Sequence, residues 1–347
     1  MTARLRLALV ERIVRDVRER GDAALSEWAL RLDDAAPARA KAIAGLPIES
    51  LLALADAVRR WHELQRPPDV SLKITPGVEL ERRWVPLASV GIYVPRGLVS
   101  TLVMCAVPAQ VAGVDRIVVM TPPRGSGLVA AAADLLGLDA EVWAVGGPQA
   151  IAALAYGTDS IARVDKIVGP GNAHVNEAKL LVARDVAIDL PAGPSEVVVL
   201  AGPDGDRQIA ELELAAQAEH GRDTICRILS VNGDVERALE EIEALAPEHL
   251  VLLGADAEAL APRIRNAGAV FVGPWSAVAA GDYATGGNHV LPTGGWARAV
   301  GGLGLESFMK PVTVQRLTRA GLAQVRPVVE ALAAVEGMPA HAEAVRR

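Results

Sequence analysis

Apolar residues recur at three- and four-residue spacing through ERIVRDVRERGDAALSEWALRLDD and again through IESLLALADAVRRWHELQR, so the chain is predicted to open with helices up to about Pro67. From Glu81 the period changes to short apolar runs, each closed by Gly or Pro: ASVGIYVP, DRIVVMTPP, EVWAVGGP and DKIVGPGN. Helix-like stretches LVAAAADLLG, QAIAALAYG and NAHVNEAKLLVARD separate them. Strands alternating with helices of this length predict right-handed crossovers and a mostly parallel sheet. After PAGPSEVVVLAGPDGD the alternation restarts, with a helix at RQIAELELAAQAEH, a strand at TICRILSV, a helix at DVERALEEIEAL, a strand at HLVLLG, a helix to Arg265 and a strand at AGAVFVG. A glycine-rich stretch from Ala280 to Gly302 follows, and LESFMKPVTVQRLTRAGLAQVRPVVEALAAVEG is read as a return to helix.

The expected fold class is therefore α/β, with two Rossmann-like doubly wound units, mostly parallel sheets, and helical N- and C-terminal elements. No repeat of fixed period and no low-complexity linker interrupts it. At 347 residues the chain exceeds the size at which one core usually stops growing. The domain assignment is residues 1–92 with 194–300 as one α/β domain bearing metal and acid/base residues, 93–193 as a second that binds cofactor, and 301–347 as a small helical domain.

Composition narrows the function. Hydrophobic residues make up 51% and charged residues 22%, which excludes disorder as the main state. A net charge of -7, with no basic run longer than Arg-Arg, removes the electrostatic footprint of nucleic-acid binding, and 3% aromatics offers no stacking platform for bases. The uncharged stretch Gly97 to Val114 approaches membrane-span length, but Pro108 and Gln110 interrupt it and a buried helix is expected. No signal peptide opens the chain, and Cys105 and Cys226 lie in apolar runs as small buried thiols, so a cytoplasmic protein is expected.

Chemistry is carried by a few constellations. The strand-turn-helix junctions Val142 to Leu154 and Lys166 to Lys179 place small residues where backbone N–H groups and a helix dipole can meet a phosphate, although neither is the GxGxxG fingerprint. A tight turn with helix packing is the alternative, with Asn172 as a helix cap and Pro148 at a first helical position. Gln217 and His220, three apart at the end of a helix stopped by Gly221, can share a metal, or His220 can simply complement the helix dipole. Adjacent Glu248 and His249 open a strand with side chains pointing apart, a pair able to divide proton transfers or to lie at a surface. Asp282 and His289 flank the glycine-rich loop, and Glu336 and His341 lie near the C-terminus.

Seven ordered strings, GGPQAIAALAYGT, VDKIVGPGNAHVNEAK, IDLPAGPSEV, QAEHG, APEHL, GDYATGGNHVLPT and EGMPAHAEAV, resemble the histidinol dehydrogenase family, from about Val85 to the C-terminus. The resemblance implies a zinc-dependent, NAD-linked oxidation of L-histidinol to L-histidine through an aldehyde, the last step of histidine biosynthesis. It implies zinc held by Gln217, His220, Asp282 and His341, with substrate completing the sphere. His249 becomes the general base for the hydroxyl proton and Glu248 the activator of water. Ser195 and Glu336 match substrate-contacting positions, with His289 close by, and Tyr93, Gln149 and Asn172 match NAD-contacting ones. A homodimer is implied, in which His341 and Glu336 act across the interface. Relatives of this family that oxidise another polar amino alcohol or a sulfonated diol, a zinc hydrolase without nicotinamide, and a non-catalytic paralogue are the competing readings. Three departures from the family pattern stand out: a later start, a much shortened stretch between His220 and Glu248, and a short loop after Tyr93 with Arg96 in place of glycine.

Overall fold

A computed structural model describes residues 3–190, 193–219, 221, 223–230 and 234–347. The chain divides into two compact units, Met1–Gln65 with Leu87–Phe308, and Arg66–Pro86 with Met309–Arg347. The larger unit opens with α1 (Ala3–Arg20), α2 (Asp22–Leu32) and α3 (Ile48–Glu63). The chain then enters the smaller unit through β1 (Val70–Thr75) and β2 (Val78–Pro86) before returning. In the larger unit β3 (Ser89–Tyr93), α4 (Val99–Ala112), β4 (Arg116–Thr121), α5 (Ser126–Leu135), β5 (Ala140–Ala144), α6 (Gly147–Tyr156), β6 (Lys166–Val168), α7 (Ala173–Val182) and β7 (Ala187–Ile188) alternate. A second alternation follows through β8 (Glu196–Ala201), α8 (Arg207–Ala218), β9 (Ile225–Ser230), α9 (Val235–Leu245), β10 (His249–Leu253), α10 (Ala257–Leu260), β11 (Ala269–Val272) and α11 (Val278–Tyr283).

Both alternations build parallel sheets, as the period of the apolar runs predicts. The first has the order β5-β4-β3-β6-β7 and the second β11-β10-β8-β9, with every pairing parallel. In the first sheet the order reverses between β3 and β6, the switch point where open α/β sheets bind ligands beyond the carboxyl ends of their strands. Gly169, just after β6, has φ +107 and packs so closely on the Tyr93 carbonyl that no side chain fits. This turn is braced from below by a buried ion pair: Lys179 pairs with Asp189, donates to the Gly169 carbonyl at 2.8 Å, and Gly169 N–H donates to Asp189 Oδ2 at 2.7 Å. The N-terminal helices share the core of this sheet, with Val10, Ile13, Val17, Leu25 and Trp28 packed among Ile151, Leu154, Val175 and Val182. Beyond α2 the chain runs beside β5, where Ala144 N–H donates to Ala38 O and Ala40 N–H to Val142 O.

The Gly97 to Val114 stretch forms the buried helix expected of it, and no described helix is long and apolar enough to cross a membrane. Between α8 and β10 the chain spans one strand and one helix, which leaves β9 at the sheet edge with Ile225 and Ile228 exposed.

The smaller unit departs from the helical expectation. MKPVTVQRL is a strand, β12 (Met309–Leu317), paired antiparallel along β2 from Met309↔Pro86 to Leu317↔Val78. Its Val312 and Val314 alternate with polar positions, a period-two pattern of β-branched residues that favours a strand over a helix. Helix begins only after Thr318, whose side chain caps α12 (Arg319–Val335), followed by α13 (Pro339–Ala344). The β1–β2 hairpin, turned at Pro76-Gly77, was not among the predicted elements although its alternating VSLKIT carries the same signal.

Replacing Gly169 with Ala should destabilise the larger unit by more than about 2 kcal/mol, combining a left-handed backbone with overpacking against Tyr93. Thermal unfolding of the variant checks this, and an unchanged midpoint would contradict it.

Candidate active site and cofactor cleft

Strands β8 and β10 are parallel neighbours in the register His249↔Val197, so the residues that precede them in the chain meet at one sheet edge. Ser195 Oγ donates to Glu248 Oε2 at 2.5 Å, and Glu196 N–H donates to the same oxygen at 2.7 Å. Gln217, on the last turn of α8, donates through Nε2 to Ser195 Oγ at 2.6 Å. His249 sets its Nδ1 3.0 Å from the Glu196 carbonyl, and its ring tilts against Phe271. A ring whose Nδ1 donates to a carbonyl carries its basic lone pair on Nε2, the atom able to take a proton. Glu248, His249 and Gln217 are all buried, at 7%, 2% and 3% exposure, so these contacts form away from bulk water.

Two acidic residues that the motif analysis did not single out hold this arrangement. Glu196 accepts from Glu248 N–H at 3.4 Å and, through its other oxygen, from Gly294 N–H at 2.9 Å, tying the glycine-rich loop to the strand starts. Gly193 N–H adds a bond to Thr293 Oγ1 at 2.5 Å. Glu213, one turn before Gln217 on α8, accepts from Val278 N–H at 3.2 Å, joining that helix to α11, the helix that carries Asp282. Burial pushes the Glu213 carboxyl above the usual range, and Asp282 adds to the shift. The only sequence signal was an acid beside Ser195 for Glu196 and an acid one helical turn before Gln217 for Glu213, which says nothing of the partner either would find.

The glycine-rich loop packs its polar side chains against α11, α4 and α3. His289 Nδ1 lies 3.3 Å from the Asp282 carbonyl and its Nε2 lies 3.4 Å from Thr101 Oγ1. Below it Asn288 donates to the Met104 carbonyl at 2.7 Å and stands 3.4 Å from Nε2 of His62, whose Nδ1 is bonded to Val58 O. His62 is fully buried, and desolvation lowers its pKa.

As a metal set, Gln217 and Asp282 occupy the ends of two helices that Glu213 joins, and the side chain of Asp282 is 14% exposed. With Gln217 Nε2 spent on Ser195, its Oε1 is the donor left for a cation. His220 lies outside the described residues. His341, in α13, and Glu336, which ends α12, belong to the smaller unit. Among the described residues no three His, Cys, Asp or Glu form a metal-holding group, and the mixed amide, imidazole and carboxylate set fits a borderline cation such as zinc.

The expected cofactor residues line the carboxyl edge of the first sheet. Tyr93, at the end of β3, accepts from Gly147 N–H at 3.1 Å, and burial pushes its phenol up to about 12. Gln149 in the first turn of α6 donates Nε2 to Asp33 Oδ2 at 3.0 Å, and Gly146 N–H donates to the same oxygen at 2.9 Å. Burial raises the Asp33 pKa, while these bonds and the Arg96 charge oppose the rise. Asn172 caps α7, accepting from the N–H groups of His174 and Val175, and Pro148 stands in the first turn of α6, so the structural roles weighed for both are real.

A family model described as histidinol dehydrogenase matches residues 3–235 and 227–347, two stretches that overlap from within β9 to the start of α9. The chain is 42% identical to the histidinol dehydrogenase of Cereibacter sphaeroides over 395 aligned residues, covering 98% of this chain and 91% of the relative. It is 40% identical to that of Haloarcula marismortui, covering 97% and 92%. The crystal structure of histidinol dehydrogenase from Elizabethkingia anophelis superposes with a TM-score of 0.89 at 32% identity, covering 97% of this chain and 90% of that one.

The buried His62 sets a pH dependence. Its folded pKa lies below the ordinary histidine value of 6.5, so on acidification the unfolded chain takes up the proton first. The stability it contributes is present above pH 6.5 and should be lost as pH falls below it towards the folded pKa. Thermal midpoints of the His62→Asn variant should fall less than those of the parent between about pH 7.5 and about pH 5.

Proposed function

Because the chain belongs to the histidinol dehydrogenase family, we propose that it oxidises L-histidinol to L-histidine with two equivalents of NAD, through the aldehyde and its hydrate, at the site where Ser195, Gln217, Glu248 and His249 meet. The observation that carries this reading is the separation of two bases at one strand start. Glu248 is an acceptor already holding Ser195 Oγ and Glu196 N–H, and His249 is oriented through Nδ1 by the Glu196 carbonyl.

When bound, NAD supplies the hydride acceptor, and zinc held by Gln217, His220, Asp282 and His341 supplies a Lewis acid that anchors the polar substrate. His249 takes the alcohol proton at Nε2 as the carbinol is oxidised. Its neutral tautomer suits that task, and the carbonyl bond at Nδ1 stabilises the imidazolium once the proton arrives. Glu248 accepts a proton from water as the aldehyde is hydrated, its carboxylate positioned by Ser195 Oγ and Glu196 N–H on Oε2. His249 then takes the hydrate's proton in the second oxidation. Ser195 ties the Glu248 carboxylate to the Gln217 amide, so that proton transfer and metal binding share one set of bonds. Tyr93, Gln149 and Asn172, at the carboxyl edge of the first sheet, would hold NAD.

The reading extends to a homodimer in which Glu336 and His341 complete the partner's site. The smaller unit supports it: Val328, Leu332 and Val335 form one exposed apolar stripe on α12, and Val70, Leu72 and Ile74 are exposed along β1. Such surface is covered in a stable protein. The thiols of Cys105 and Cys226 are unpaired, which suits the reducing cytoplasm.

The test is the yield of NADH per L-histidinol in zinc-loaded protein, expected to be two and to vanish after chelation. Glu248→Gln should slow oxidation of the aldehyde by about 10²-fold or more while sparing the alcohol step. Equal slowing of both steps would contradict the division between Glu248 and His249. In sedimentation, Leu332→Asp should shift the protein from dimer to monomer.

A further inference from the structure

The first sheet has the order 3-2-1-4-5 when its strands are counted from β3, the arrangement that places a dinucleotide across the crevice between first and fourth strands. In such sheets the adenosine ribose meets an acidic side chain at the carboxyl end of the second strand. Here that strand is β4, and it ends in Thr121 followed by Pro122 and Pro123, with no acid. A carboxylate reaches the place from elsewhere. Asp33 ends α2, and a Cβ built on Gly146 would lie 2.8 Å from Asp33 Oδ1 and 2.9 Å from Pro122 Cγ, so the two side chains flank the same backbone atom. The bonds from Ala144 to Ala38 and from Ala40 to Val142 fix the segment that follows Asp33 against β5.

We propose that Asp33 reads the adenosine ribose of the dinucleotide and makes this protein select NAD over NADP. Its Oδ2 is held by Gly146 N–H and Gln149 Nε2, which orients the carboxylate and leaves Oδ1 on the Pro122 side to accept from a ribose hydroxyl. A further buried acceptor marks the same place: Gln149 Oε1, on a side chain with no exposed surface whose Nε2 is bonded to Asp33, has no hydrogen-bond partner. Acceptors gathered around a carboxylate match a vicinal diol, which donates two hydrogen bonds. They reject a 2′-phosphate, which brings negative charge and only acceptors. Arg96, in the turn between β3 and α4, acts on the Asp33 charge from nearby and is exposed, so it is the cation a 2′-phosphate would find once Asp33 no longer balances it.

This inference rests on the reading of the first sheet as the NAD cleft, and the experiment separates the two. Calorimetric titration of the full chain with ADP-ribose and with 2′-phospho-ADP-ribose should show ADP-ribose bound at least about 100-fold more tightly. Asp33→Asn, which keeps the acceptor for Gly146, should narrow that preference at least about tenfold by strengthening the phosphorylated ligand, and kcat/KM for NADP relative to NAD should rise with it. Adding Arg96→Gln to the variant should remove the gain. Equal affinities in the parent protein would overturn the role of Asp33 while leaving the cleft in place, and that comparison stands even if the variant does not fold. A variant that weakens both ligands equally would reduce Asp33 to an anchor of α2 and overturn the selectivity. Binding of neither ligand to the parent would overturn the cleft and the inference together.

Discussion

The chemistry of this protein depends on one register. Because β8 and β10 run parallel with His249 opposite Val197, Ser195, Glu196, Glu248 and His249 arrive together from positions more than fifty residues apart. A slip of one residue would turn His249 away from the Glu196 carbonyl and Glu248 away from Ser195. Both strands are buried on both faces, with Val197, Val199, Val251 and Leu253 on one side of the sheet and Val198, Leu200, Leu250 and Leu252 on the other, so the polar bonds at the strand starts distinguish this register from a slipped one. The apolar core thus holds a set of buried polar groups that would each cost about 1–3 kcal/mol if left unpaired.

Those polar groups form a chain. Gln217 bonds Ser195, Ser195 bonds Glu248, Glu196 bonds both Glu248 and the loop at Gly294, and Glu213 bonds the start of α11. These bonds join α8, the starts of β8 and β10 and the glycine-rich loop, and Glu213 ties α8 to α11. The cofactor edge lies on a different sheet and is built in another way, around glycine turns clamped by Lys179, Asp189 and Asp33.

The short stretch between α8 and β10 leaves the bonds among Gln217, Ser195 and Glu248 in place. One strand and one helix are enough to return the chain from Gln217 to Glu248, and the consequence falls on β9, left at the sheet edge with apolar residues in solvent. Strand starts that face the site are set by pairing with β8, not by what lies beyond β9.

The sequence by itself determined the α/β class, both parallel alternations, the buried α4 and the cap at Asn172, because each rests on local periodicity or on a bond within a few residues. It also determined the family, since the motif strings are long and ordered. Missing from it were β1 and β2, although VSLKIT alternates as a strand does, and the strand character of β12, whose pairing with β2 joins residues over two hundred positions apart. Tertiary structure alone decided that Glu196 and Glu213 brace the site and that Asp33 reaches the end of β4. Each of these acts through a hydrogen bond to a distant backbone N–H, and nothing in the local pattern of a chain records where such a partner will lie.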